Sequence, residues 1–121
     1  MRWTVKEDNS VGEALKNAFR NGEVSLEDIE IIKIWVRQVE GFGPHSLRKT
    51  WSLKEAVSPL DDAALNREPS DVNFWNDHEL INELAGHRSS SFSRMGRIIY
   101  KIENEQIKIV RVVKITGTHN Y

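Results

Sequence analysis

The chain of 121 residues contains no cysteine and only three prolines. Without cysteine it has neither a disulfide framework nor thiolate ligands for a metal, and nothing points to an oxidising compartment. Its apolar runs are short and broken by charges, and the N-terminal residues MRWTVKED lack the apolar stretch of a secretory signal. These absences predict a single soluble domain that is located in the cytoplasm, has no membrane partner, and buries a core without covalent staples.

Several motifs of enzymatic chemistry are also missing. The four histidines, His45, His78, His87 and His119, do not have the spacing of metal ligands. The chain has no glycine-rich phosphate loop, and no serine lies in the context of a nucleophile elbow. The sequence therefore predicts that the protein uses neither a cofactor nor a metal.

Charge is unevenly distributed along the chain, whose formal net charge is −1 at pH 7. Residues 88–121 carry seven lysines and arginines against Glu103 and Glu105, whereas residues 61–79 carry six acids and one arginine. A net charge near zero argues against binding nucleic acid by bulk electrostatics. A locally cationic segment, in contrast, is typical of a site for a phosphodiester.

The cationic segment also has the pattern of a β-meander. GRIIYKIE, from Gly96 to Glu103, and QIKIVRVVKIT, from Gln106 to Thr116, are rich in isoleucine and valine. Asn104-Glu105 between them predicts a two-residue hairpin turn. The serine-rich run from Gly86 to Ser93 can pair antiparallel with GRIIYKIE across a turn at Arg94-Met95. Together these runs predict three consecutive antiparallel strands.

The N-terminal third predicts one strand and two helices. MRWTVK alternates apolar and polar residues, as a half-buried strand does. A capping box of Ser10 and Glu13 predicts the start of an amphipathic helix that ends at Asn21-Gly22. Ser25 is expected to cap a second helix, which ends in the residues Gly41 to Pro44. Two helices with a short link form a hairpin, which we expect to cover one face of the sheet.

The middle of the chain predicts no long regular element. An acidic stretch at about residues 57–76 is expected to be a loop inserted into a single domain of residues 1–121. Loops of this length in a compact domain are usually functional or disordered. One hypothesis is that the acidic loop folds over the cationic face as an internal mimic of RNA. Trp51, which precedes this loop, and Trp75, within it, can stack on bases or serve the core.

Four motifs, in their order and spacing, resemble the RelE/ParE superfamily of toxins from bacterial toxin–antitoxin pairs. They are DHEL at Asp77 to Leu80, L-x-G-x-R at Leu84 to Arg88, RIIY at Arg97 to Tyr100, and KITGTHNY at Lys114 to Tyr121. The chain looks most like the ribosome-dependent mRNA interferases of the YafQ and YoeB type. The resemblance implies a RelE-like α+β fold, in which the N-terminal strand and the meander form a small antiparallel sheet covered on one face by the helical hairpin.

The resemblance also implies an activity and two kinds of partner. The protein would be an endoribonuclease that cleaves mRNA on the ribosome by attack of a ribose 2′-hydroxyl on the adjacent phosphate, without metal. A cognate antitoxin protein would hold it inactive. Such a reaction needs a base, an acid, and cations that stabilise the charge building on the phosphate.

Four residues are candidates for catalysis. By resemblance, His78 occupies the position of the general base, Arg97 that of a catalytic arginine, and His119 and Tyr121 those of a C-terminal histidine and aromatic residue. An imidazole, with an ordinary pKa of about 6.5, serves as acid or base at neutral pH. The sequence leaves open which histidine is the base. Each of the four residues also has an alternative interpretation, as an exposed side chain of a strand, loop or tail that has no role in catalysis.

Four further residues are candidates for substrate binding: Arg88, Arg94, Lys114 and Trp75. Arg88 is expected to form a phosphate clamp with Arg97, because a guanidinium pairs with two phosphate oxygens in a fixed geometry. His87, in contrast, is expected to be structural.

Strand alternation constrains which of these cations share a face. If the helices cover Ile98 and Tyr100, Arg97 faces an open groove. On the last strand, strict alternation places Arg111 and Lys114 on opposite faces, so that only one of them serves the site.

A second hypothesis belongs to a different class of function. A protein of the RelE/ParE fold without ribonuclease activity would act by binding, as the ParE branch does on DNA gyrase. The low overall charge supports this hypothesis, since the resembled family is strongly basic. The set of His78, His119 and Tyr121 argues against it, because a binding protein does not need such a set.

Overall fold

The structure is a computed structural model that describes residues 2–48 and 75–117. Its elements are, in chain order, β1 (Thr4–Glu7), α1 (Asn9–Arg20), α2 (Leu26–Phe42), a 3-10 helix (Pro44–Arg48), β2 (His78–Glu79), a second 3-10 helix (Asn82–Leu84), β3 (Arg88–Ser91), β4 (Arg97–Asn104) and β5 (Ile109–Thr116). No helix among these residues is long and apolar enough to cross a membrane. His119, Tyr121, Trp51 and nearly all of the acidic loop lie outside the described residues.

The five strands form one sheet in the order β1-β5-β4-β3-β2. Neighbours from β2 to β5 are antiparallel, which confirms the predicted meander. The predicted α+β class is also confirmed, but the sheet is mixed, because β1 pairs with β5 in parallel. Alternation in the N-terminal residues shows which side chains face the core and says nothing about strand direction. β2, with two residues, is too short to show any periodicity.

The connection between β4 and β5 is longer than predicted. β4 continues to Asn104 and β5 begins at Ile109, so residues 105–108 form the turn and the expected two-residue turn is wrong. The Asn104 side-chain oxygen accepts hydrogen bonds from the backbone N–H groups of Gln106, at 2.9 Å, and Ile107, at 3.0 Å. Lys108 closes the turn with φ of +57°. The asparagine thus stabilises a wider turn.

The helix boundaries follow local chemistry. Ser10 lies inside α1, which begins after Asp8, so the predicted capping box of Ser10 and Glu13 is wrong. The predicted cap of α2 is confirmed: Ser25 and Asp28 exchange side-chain to backbone hydrogen bonds, both of 3.0 Å. Gly43 ends α2 with φ of +86°, a conformation that glycine adopts without strain.

The core lies between the helical hairpin and one face of the sheet. Trp35 of α2 packs edge-to-face on Tyr100 of β4, with ring centroids 5.2 Å apart. Both side chains are fully buried. The helices therefore cover the face of Ile98 and Tyr100. The other face carries the candidate site.

Candidate active site

The strand register places four residues in one row across the face opposite the helices. His78 pairs with Ser89, Ser89 with Ile99, and Ile99 with Lys114. Since neighbouring strands are about 4.8 Å apart, the row spans about 14 Å from the backbone of His78 to that of Lys114. We call it the His78–Lys114 row. It places an imidazole at one end and an ammonium group at the other.

At His78, one hydrogen bond selects the tautomer of the ring. Its Nδ1 lies 2.8 Å from the carbonyl oxygen of Asn76. A carbonyl oxygen only accepts hydrogen bonds, so Nδ1 carries a proton. In the neutral ring, Nε2 then has the lone pair that a general base requires. The His78 side chain is exposed, so a substrate can reach it.

Lys114 reaches this face because β5 contains a β-bulge. Tyr100 pairs with Val112 and Ile99 with Lys114, which leaves Val113 as an extra residue. The bulge reverses the alternation beyond it. Arg111 and Lys114 therefore lie on the same face, and the prediction that they occupy opposite faces is wrong. Lys114 is exposed there.

Arg111 is engaged in ion pairs of its own. Its guanidinium contacts the carboxylate of Glu103 and, at 3.4 Å, that of Asp8. The hydrogen bond from Arg111 lowers the pKa of Glu103, and the same bond raises the pKa of Arg111. Of the two cations on this part of β5, Lys114 is thus the better placed to meet a phosphate.

Arg97 lies beside the His78–Lys114 row, in a second row with Ser91 and Thr116. It is on the predicted face, yet it is only 9% exposed. Its Nη1 donates to the carbonyl oxygens of Gly96, Arg94 and Ser93, at 2.8, 3.3 and 3.4 Å. Arg97 therefore holds together the connection between β3 and β4, on which the exposed Arg94 is carried.

The same face contains buried polar atoms that are not satisfied. Among the described residues, Ser89 Oγ, Arg97 Nε and Thr116 Oγ1 are buried without a hydrogen-bond partner. Such atoms are rare in folded proteins, and each calls for a functional or structural explanation. Ser89 and Thr116 were absent from the sequence-based candidates, since only the strand register brings them beside His78 and Arg97.

Arg88 lies on the opposite face of the sheet. It pairs with Tyr100, and its Nε donates to the Asp77 carboxylate at 2.7 Å. Burial alone would lower the pKa of Arg88, but the hydrogen bond and the charge of Asp77 outweigh it and raise that pKa. Arg88 and Arg97 consequently do not form the predicted phosphate clamp. Arg88 instead lines a cavity of about 260 Å³ on the helix side, together with Arg48.

Trp75 is a core residue. Its side chain is fully buried, and Nε1 donates to the side-chain oxygen of Gln38 at 3.1 Å. The prediction that Trp75 binds substrate is wrong, because no face of its ring is open to a base. The sequence around Trp75 has no hydrophobic periodicity, so its burial could not be predicted from the sequence.

Tyr100 is expected to remain un-ionised in the folded protein at alkaline pH. Burial, followed by the charge and the hydrogen bond of Asp77, raises its pKa far above the ordinary value. Since the unfolded chain loses this proton first, the contribution to stability is complete below about pH 10 and is lost as the pH rises further. In a Tyr121→Phe variant, where Tyr100 is the remaining tyrosine, phenolate absorbance should appear only together with unfolding. Ionisation near pH 10 with an intact circular dichroism spectrum would contradict this burial.

No family model matches the chain, and no curated protein matches it in sequence. Solved structures do match it. YafQ from E. coli aligns over 95% of this chain and 92% of its own, with a TM-score of 0.55 and 14% identity. A YoeB/ParE toxin from Agrobacterium tumefaciens aligns over 93% and 95%, with a TM-score of 0.57 and 12% identity. YoeB from Staphylococcus aureus, in its complex with YefM, aligns over 96% and 97%, with a TM-score of 0.56 and 11% identity. The chain therefore has the fold of these toxins.

Proposed function

We propose that this protein is the toxin of a toxin–antitoxin pair and acts as a metal-independent endoribonuclease that cleaves mRNA on the ribosome. The observation that carries the proposal is the His78–Lys114 row, on the sheet face opposite the helices of a fold shared with YafQ and YoeB. An imidazole with an available Nε2 and a cation on the same row are two of the groups that the reaction needs.

In the proposed reaction, His78 Nε2 accepts the proton of a ribose 2′-hydroxyl. The 2′-oxygen forms a bond to the adjacent phosphorus, and the bond from phosphorus to the 5′-oxygen breaks, which yields a 2′,3′-cyclic phosphate. Lys114 stabilises the charge on the phosphate in the transition state. Arg97 holds the connection between β3 and β4 in place. The leaving 5′-oxygen takes a proton from an acid, for which His119 and Tyr121 remain the proposals, although both lie outside the described residues.

A protein inhibitor is the second part of the proposal. The structures with this fold include YafQ in complex with DinJ and YoeB in complex with the YefM antitoxin. We propose that a cognate antitoxin binds the present chain in the same general way. Purified toxin and antitoxin should then form a stable complex in which cleavage is suppressed.

The proposed function is tested by primer extension on a defined mRNA in a cell-free translation reaction, with and without ribosomes. New 5′ ends that appear only with both protein and ribosomes, next to 2′,3′-cyclic phosphate ends, are the expected result. Cleavage of free RNA at equal rate would remove the ribosome from the proposal. Intact mRNA under every condition would overturn the ribonuclease function.

Lys114→Gln is expected to weaken RNA binding equally for all sequences. A lysine that contacts a phosphate contributes about one unit to the salt dependence of binding, so the slope should decrease by about that amount. The measurement is fluorescence anisotropy with 2′-O-methyl RNA, which lacks the attacking hydroxyl, at several salt concentrations. Lys33→Gln is the matched control, since Lys33 lies on α2 and pairs with Glu30 at 3.2 Å. An unchanged slope for Lys114→Gln would show that RNA does not contact the row.

The second candidate function is that of a non-catalytic toxin that binds a protein such as DNA gyrase. The burial of Arg97 favours it, because Nη1 of this residue is committed to backbone carbonyls rather than to a ligand. DNA cleavage complexes that accumulate on expression, while mRNA stays intact, are its expected signature.

A further inference from the structure

The residues just before His78 are fixed by burial and by hydrogen bonds on the helix side of the sheet. Trp75 is fully buried, and its carbonyl oxygen accepts a hydrogen bond of 2.6 Å from the backbone N–H of Ser91. Asp77 is also buried, with a side chain that is 0% exposed. Asn76 between them has φ of +47°, in the left-handed region that few residues other than glycine adopt. This kink buries the residues on both sides of Asn76.

The Asp77 carboxylate is bound by three donors from the neighbouring strands. Arg88 Nε donates to Oδ1 at 2.7 Å, while the hydroxyl groups of Ser90 and Tyr100 donate to Oδ2 at 2.7 and 2.5 Å. Ser90 Oγ in turn accepts a hydrogen bond of 2.9 Å from Trp35 Nε1. We call Asp77 with its three donors the Asp77 anchor. It joins β2 to β3, β4 and α2.

β2 depends on such an anchor for its position. It has only two residues and lies at the edge of the sheet, so its own ladder of hydrogen bonds is minimal. Because successive strand residues face opposite sides, an inward Asp77 requires an outward His78. The fixed backbone also places the Asn76 carbonyl 2.8 Å from His78 Nδ1.

We propose that Asp77 is a positioning residue for His78. Through the anchor it holds the Asn76 carbonyl against Nδ1, and this contact keeps Nε2 of the neutral ring available to accept a proton. Asp77 touches neither substrate nor reacting atoms, because its carboxylate lies on the helix side of the sheet. The catalytic consequence rests on the proposed function, whereas the tautomer of His78 is a property of the protein alone.

The test measures the ring nitrogens of His78 by NMR in uniformly ¹⁵N-labelled protein, at a pH where the ring is neutral. Wild type should show Nδ1 protonated, while Asp77→Asn and Tyr100→Phe should show a mixture of tautomers. Tyr100→Phe is the milder variant, since it keeps the aromatic ring on Trp35 and the ion pair of Asp77 with Arg88. Glu79→Gln is the control. Glu79 follows His78 in the chain, and its Oε1 lies 3.4 Å from Arg88 Nη1, but its side chain is 81% exposed.

Cleavage kinetics supply the second readout. At saturating RNA, the rate of Tyr100→Phe should decrease roughly tenfold or more, with RNA affinity unchanged, because misplacement of a catalytic group slows chemistry rather than binding. A single, unchanged tautomer in both anchor variants would overturn the positioning role, and so would a mixed tautomer with a wild-type cleavage rate. If wild type leaves mRNA intact, the proposed function fails, while the expected tautomers still support the anchor.

Discussion

Replacement of Arg88 by methionine is expected to lower the free energy of unfolding by about 3 kcal/mol. The side chain of Arg88 is only 13% exposed, and its Nε is bound to a carboxylate that is fully buried. Methionine retains the apolar stem and leaves the charge of Asp77 without its cation. This loss of stability is at the lower end of the range that is usual when a buried ion pair is broken, since Ser90 and Tyr100 still donate hydrogen bonds to Asp77. Urea unfolding at pH 7, followed by tryptophan fluorescence, measures the change.

Arg48→Met is the matched control for this experiment. Arg48 is exposed and lines the same cavity as Arg88, so its replacement should change stability by less than about 0.5 kcal/mol. A stable Arg88→Met protein that has lost RNA affinity would contradict the structural role and favour the phosphate contact that the sequence predicts. Loss of stability in Arg88→Met alone is the outcome that fits the Asp77 anchor.

Replacement of His78 by alanine is expected to slow cleavage by roughly 10²- to 10⁴-fold, the usual contribution of a general base. Stability should be unaffected, because the ring is exposed and its one hydrogen bond in the described structure is to the carbonyl of Asn76, two residues earlier. Single-turnover cleavage of mRNA on stalled ribosomes gives the rate, and urea unfolding confirms that the variant is folded.

His45→Ala controls for the loss of any exposed histidine. His45 lies in the 3-10 helix after α2 and contacts Glu105 at 2.9 Å, away from the His78–Lys114 row. Its removal should leave the cleavage rate unchanged. Full activity of His78→Ala would instead show that the base is elsewhere, and His119→Ala would be the next variant to measure.

The fold could be predicted where its signal is local. Ser25 and Asp28 form a cap within four residues, and the high content of isoleucine and valine in β4 and β5 specifies strands by itself. The parallel direction of β1 and the bulge at Val113 could not be predicted, because both depend on which strand becomes the neighbour. The alternation of apolar and polar residues along a strand does not reveal where a bulge adds one residue.

The candidate site divides in the same way. The DHEL motif draws attention to His78, and the structure places it on the face opposite the helices. The adjacent Asp77 resembles a surface acid in the sequence, since the donors that permit its burial are 11 to 23 residues away. The face occupied by Arg88 likewise follows from its pairing with Tyr100, which composition does not reveal.

The pairing of β1 with β5 also governs when the sheet can form during protein synthesis. Thr4, near the start of the chain, finds its neighbour in Ile109, and Lys114 lies further still along β5. During synthesis, the residues of β1 and of the helical hairpin therefore leave the ribosome before the sheet can form. Pairing β1 with β5 also closes a loop of about a hundred residues, and closing so long a loop is slow. The His78–Lys114 row exists only once β5 has left the ribosome. A protein that we propose attacks translated mRNA is thus assembled after translation of its own strands is complete.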